Sequence, residues 1–241
     1  MQSIYFVDSN FTYESSKKSI LSIRYATDGF SFCVHDETEK LVVFVHEPYA
    51  ADSREAVVAK LKNYVVNDTI LNLRFKKVYI MPCFKEKLLV PGAFFDKANI
   101  ATLYTVNQEV SPDDTILYHH IEGIEAYLVE TVISSFHDFV REHFPVVQIV
   151  NGAYPFILGA MSKALRDTEQ IFLDIQDNYF DLLFIRDSGI QLFNTFSYKA
   201  MTDIVYFLLN CIKECGINQE KAHLSICGPA LKDNKLKELL S

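Results

Sequence analysis

Apolar and polar positions along the first third of the chain fall into short blocks with a period of two. Ile20 to Ala26 reads as a strand, Thr27-Asp28-Gly29 as a turn, and Phe30 to His35 as the returning strand. A second polar turn, Glu37 to Lys40, leads into a third strand, Leu41 to His46. The period then lengthens. Ser53 stands as a cap before Ala56, Val57, Leu61, Tyr64 and Val65, which recur at helical spacing over Ser53 to Val66. Phe75 to Met81 is the next strand, with Val78 and Ile80 at its centre.

The C-terminal third follows the same order. Gln170 to Ile175, Tyr179 to Arg186 and Ile190 to Phe196 read as strands, the last two joined by the turn Asp187-Ser188-Gly189. Tyr198 to Cys215 is a helix with Ile204, Phe207, Leu208, Cys211 and Ile212 on one side, and Gly216 stops it. Ala222 to Cys227 is a strand, and Lys232 to Leu240 a short final helix. Both ends therefore read strand-strand-strand-helix-strand, with connections of similar length. Arg24 and Asp174 occupy matching places. An internal duplication is expected: a first half over 1–167, carrying an inserted segment near 84–130, and a second half over 168–241.

The segment between the repeats has a Pro91-Gly92 break, a helix from Phe94 to Tyr104, and a loop at Ser111 to Asp114. Thr115 to Ile121 and Ile124 to Val129 form a hairpin around Glu122-Gly123. A helix over Thr131 to Phe144 ends at Pro145, Val146 to Val150 is a short buried strand, and Tyr154 to Arg166 is another helix. No low-complexity linker separates the halves.

Composition narrows the classes. Of 241 residues 49% are hydrophobic and 22% charged, which fits a packed globular protein rather than a disordered one. With 19 Phe, 13 Tyr and no Trp, the aromatic core is Phe and Tyr. A net charge of -8 repels phosphate backbones and anionic membranes, so no nucleic-acid partner is expected. Met1 to Lys18 lacks the apolar region of a signal peptide, and no run approaches the ~20 apolar residues of a membrane span. The five cysteines are odd in number and several sit inside apolar runs, which fits reduced thiols and a cytoplasmic protein. Cys211 and Cys215 share a helical face as core residues.

At topology level the chain resembles the actin-like ATPase superfamily, whose relatives include Hsp70, sugar kinases and the bacterial assembly proteins FtsA and PilM. The stretch Ile23 to Phe32, Ile-Arg-x-x-x-x-Gly-Phe-Ser-Phe, resembles the opening of the bacterial domain-of-unknown-function family 3822. The resemblance implies an α/β protein with a duplicated RNase H-like, actin-like ATPase fold: two mixed-sheet halves of βββαβα type with an inserted subdomain in the first. The family supplies no established activity.

In the superfamily each half opens with a phosphate-binding hairpin, Asp-x-Gly followed by small residues. Glycines let backbone N–H groups approach phosphates, and the Asp orients Mg²⁺ or water. The resemblance aligns Arg24 with the first Asp and Ala26 with the first Gly. In the second hairpin it aligns Asp174 with the motif Asp and Asp181 with a later Asp, but Gln176 replaces the Gly and Asp177-Asn178-Tyr179 the small residues. Cys227-Gly228-Pro229-Ala230 offers one glycine where the adenosine turn has a pair. The weak catalytic candidates are thus Asp174 and Asp181, and the weak cofactor-binding candidates Arg24, Gln176 and Gly228. Asp174, Asp177 and Asp181 also suggest a hard-cation cluster, although turn acids serve turn geometry, and no metal site is assigned.

His119 and His120 point to opposite faces of a strand, and His137 and His143 share no helical face. Asn151-Gly152 could cap the following helix or receive an anion there. The expected function is a non-catalytic actin-like protein with a degenerate nucleotide site and no cofactor, acting as a scaffold for a protein partner or a homo-oligomer. The alternative is a divergent ATPase or small-molecule kinase using ATP and Mg²⁺. A nuclease is disfavoured by Arg24 and the net charge.

Overall fold

The structure is a computed structural model and describes residues 2–228. The helix expected over Lys232 to Leu240, with Pro229 and Ala230, lies outside the described residues. The chain forms two compact units. One comprises the chain up to Phe84 with Ala101–His119 and Val129–Gly152; the other comprises Lys85–Ile100, His120–Leu128 and the chain from Ala153. The expected halves follow the repeats, whereas these units follow packing, and 153–167 packs with the second.

In the first unit six strands lie in the order β1-β4-β3-β2-β5-β9. They are β1 (Ile4–Val7), β2 (Ile20–Ala26), β3 (Gly29–His35), β4 (Leu41–Pro48), β5 (Lys77–Pro82) and β9 (Val147–Ile149). The first three pairings, β1 with β4, β4 with β3 and β3 with β2, are antiparallel; β2 with β5 and β5 with β9 are parallel. Period-two alternation puts Leu21, Ile23, Tyr25, Phe30, Phe32, Val43 and Val45 on one face. Val57, Leu61 and Val65 of helix α2 (Arg54–Asn67), with Phe136 and Val140 of α4 (Ser134–His143), bury that face. Ser53 caps α2 by accepting the Ala56 N–H at 3.2 Å. Strand β1 escapes an alternation rule because its four residues are all apolar.

The middle of the chain departs from the expected boundaries. Gly92–Phe94 is a single 3-10 turn, and α3 covers Ile100–Asn107, because Asp96 accepts the Ala98 N–H at 2.9 Å and holds a turn between them. Strands β7 (Asp114–His120) and β8 (Ala126–Ile133) form the expected hairpin, but β8 runs on through β-branched Thr131, Val132 and Ile133. Helix α4 therefore starts only at Ser134, and α5 is confined to Ala153–Met161.

The second unit has four strands in the order β12-β11-β10-β13. They are β10 (Glu169–Ile175), β11 (Tyr179–Arg186), β12 (Gly189–Ser197) and β13 (His223–Cys227). The neighbours β10–β11 and β11–β12 are antiparallel, β10–β13 parallel. The arrangement repeats that of β4-β3-β2-β5. The two central strands are buried on both faces, which explains why β11 reads as a nearly continuous apolar run. Ile171, Leu173, Ile175, Phe180, Leu182 and Phe184 pack on Ile204, Leu208 and Ile212 of α6 (Met201–Glu214). Phe172, Leu183 and Ile185 pack on Ala153, Ile157 and Ala160 of α5. Asp203 starts α6 by accepting the backbone N–H groups of Lys199 and Ala200. Gly216, at φ 60°, ends it by letting the Ile217 N–H return to the Ile212 carbonyl at 2.9 Å.

Candidate functional site

Asp181 is the one charge in the buried stretch of β11, so it requires a partner. It receives two. The ammonium of Lys87, the first residue of β6 (Lys87–Pro91), lies 2.8 Å from Oδ1, with the side chains 1% and 2% exposed. The Thr195 hydroxyl donates to the same oxygen at 2.6 Å. Lys87 also sits over the Tyr179 ring, 4.6 Å from its centroid.

Register then builds a polar row across the sheet. Asp181 pairs with Thr195 on one side and Asp174 on the other, and Asp174 pairs with Cys227. Paired residues share a face, so Thr195, Asp181, Asp174 and Cys227 stand side by side on the face that carries Phe172 and Leu183. The Gln176 amide donates to Asp174 Oδ2 at 2.9 Å. Gln176 is itself held: its N–H donates to the Tyr179 carbonyl and its carbonyl accepts the Tyr198 hydroxyl at 2.6 Å. Gly228 has φ 114°, and a Cβ there would run into the backbone of Ile175. That glycine serves a close approach of β13's end to β10.

The Cys227 thiol lies 3.8 Å from Asp174 Oδ1 and 3.4 Å from the Leu173 carbonyl. Burial and the adjacent Asp174 carboxylate push its pKa up to about 11. Although Cys227 is exposed, its thiol stays protonated at neutral pH and donates inward. Iodoacetamide at pH 8 will therefore label Cys227 roughly twentyfold more slowly than an unperturbed thiol, the lower thiolate fraction outweighing the higher nucleophilicity. Asp174→Asn removes the charge, lowers that pKa and speeds labelling; peptide mapping reads both rates.

In the first unit Arg24 takes the position on β2 that Asp174 takes on β10. Each pairs with the residue seven further along, Ser31 and Asp181 respectively. Arg24 lies 3.4 Å from the Asp28 carboxylate, so its charge is turned to the hairpin loop. Ser31 and His46 complete that row with no carboxylate in it. The two sets of candidates belong to different sheets. Asp174, Asp181 and Gln176 come together with Gly228 at the end of β10, and Arg24 lies on the other sheet.

Lys87, Thr195 and Cys227 are the site residues that sequence reasoning missed. The signal for a partner was Asp181 itself, a carboxylate inside Tyr-Phe-Asp-Leu-Leu-Phe-Ile. Asp177 lies exposed in the turn, and among the described residues no three His, Cys, Asp or Glu side chains could hold one metal ion. The Asn151 amide donates at 2.7 Å to Glu130, which is 2% exposed. His119 lies half-buried at 4.0 Å from the same carboxylate, and burial lowers its pKa. Cys211 on α6 and Cys215 at its C-terminal cap pack against the core of the second unit.

The class follows from the two repeated sheets and is matched by solved structures. A Bacteroides thetaiotaomicron protein with actin-like ATPase fold and unknown function is 23% identical, covers 95% of this chain and 90% of its own, and superposes with a TM-score of 0.87. PilM from the PilM-PilN type IV pilus biogenesis complex is 10% identical, with 92% and 84% covered and a TM-score of 0.56. This chain has the actin-like ATPase fold. It belongs to DUF3822, a family of proteins of unknown function that matches residues 8–241. No curated protein matches it. Among the described residues no helix is long and apolar enough to cross a membrane.

Proposed function

We propose that this protein is a non-catalytic scaffold built by duplication of an actin-like half, with a nucleotide site too altered to work. The carrying observation is the buried Lys87–Asp181 pair, closed by the Thr195 hydroxyl on the same carboxylate oxygen. A hard cation such as Mg²⁺ needs carboxylate oxygens free to ligate it. Here the ammonium already neutralises Asp181, and the Gln176 amide engages Asp174. The donor set does not fit Mg²⁺.

Phosphate binding fares no better. A phosphate cradle needs small residues whose N–H groups face outward. In this hairpin Gln176 and Tyr179 are both buried, and the Gln176 N–H is spent on the Tyr179 carbonyl. The PilM comparison, a protein in a complex with PilN, supports a protein-binding use of the fold.

Titration calorimetry of the full chain with ATP and Mg²⁺ tests this. The expected result is no saturable heat up to about 1 mM nucleotide and no hydrolysis above background. Micromolar binding with turnover that Asp174→Ala abolishes would replace the scaffold with an ATPase or kinase reading, in which Asp174 and Asp181 serve the metal.

A further inference from the structure

Strand β1 is one edge of the six-stranded sheet, with no strand on its outer side among the described residues, and its residues are Ile4, Tyr5, Phe6 and Val7. All four are exposed, at 49%, 67%, 45% and 36%. Edge strands are usually protected by charge, proline or a bulge, because unpaired backbone groups template further pairing. β1 carries no charged residue and no proline, and its register with β4 is unbroken. We infer that β1 is a homodimerisation edge, on which a second copy of this chain adds its own β1 antiparallel about a twofold axis.

The direction of the backbone groups fixes the register. Asp8 donates its N–H to the Val42 carbonyl at 2.8 Å, continuing the ladder that sets Phe6 opposite Phe44 and Ile4 opposite His46. Hydrogen-bonded pairs alternate in an antiparallel ladder. Ile4, Phe6 and Asp8 therefore aim their backbone groups at β4. Ser3, Tyr5 and Val7 aim theirs outward. Two copies can join only where outward residues meet outward residues.

Placing Tyr5 opposite the partner's Tyr5 satisfies this requirement. Ser3 then faces Val7, Ile4 faces Phe6, and Gln2 faces Asp8. Apolar meets apolar at the centre, and no like charges stand opposite each other. The strand is thus its own complement, as a twofold interface demands. Four residues a side bury much less than the ~800 Å² per partner of a standard interface, so the dimer is weak and depends on concentration.

This inference names the partner for the scaffold reading and rests on that reading for its purpose. Nucleotide titration tests the reading without touching β1, so either can fail alone. Sedimentation equilibrium of the full chain is the test, with the mass doubling between roughly ten and several hundred micromolar. Tyr5→Pro removes an outward N–H and no β1–β4 bond, so it abolishes the doubling while circular dichroism and Tm stay unchanged. Phe6→Glu keeps every backbone bond, sets a charge opposite Ile4, and also yields a monomer. Hydrogen exchange of the Tyr5 and Val7 amides slows with concentration, while that of Phe6 is protected throughout. A chain monomeric over the whole range would overturn the inference. So would a dimer that both variants leave intact, or Tyr5 and Val7 amides whose exchange ignores concentration.

Discussion

Lys87→Met destabilises the fold by about 3–5 kcal/mol, since it leaves the Asp181 carboxylate buried without its cation. The Asp181 side chain is 2% exposed, and the Thr195 hydroxyl alone cannot balance a full charge there. The partner substitution recovers most of the loss. In Lys87→Met with Asp181→Asn, the neutral amide oxygen still accepts from Thr195 and no charge is left buried. A double-mutant cycle by urea denaturation measures the coupling. Additive losses from the two substitutions would show that the pair does not act as a unit. A wild-type-like midpoint for Lys87→Met alone would contradict the buried geometry itself.

Gly228→Ala is the second large effect, about 3 kcal/mol, from overpacking combined with a φ that L side chains resist. A Cβ at Gly228 would lie 2.6 Å from the Ile175 nitrogen, closer still to its carbonyl oxygen, and φ is 114°. Both obstacles are backbone, so no rotamer change relieves them. Relief comes only from moving β13 off β10, which would cost the parallel pairing between Gln170–Asp174 and His223–Cys227. A drop in the urea midpoint with the cooperativity preserved is expected. Gly123→Ala is the control: that glycine has nothing within 4 Å of the added carbon, and it loses only the φ term.

Much of the framework was legible because its physics is local. Strands of alternating residues, such as Ile20 to Ala26, announce one buried face. The run in β11 announces two, and it contains a single carboxylate. Asp174 and Asp181 could be placed on neighbouring strands from the turn between them. Strand β1 could not be found, because four apolar residues have no period to read. The start of α3 was also hidden, since Asp96 competes for backbone N–H groups that a helix would otherwise organise.

What the amino-acid order determined by itself, then, was the succession of strands and helices, the candidate carboxylates and the large residues Gln176 and Tyr179 in the second hairpin. Each depends on neighbours within a few positions. Only the tertiary structure decided who neutralises Asp181. Lys87 reaches it from 94 residues away, and a lysine at the head of an apolar segment looks like any solvated charge until folding removes its water. The same holds for Arg24, which topology sets in the place of Asp174 while Asp28 takes its charge. Electrostatic roles are pairwise and depend on burial, so they are fixed by which strands meet, and no short stretch of sequence carries that information.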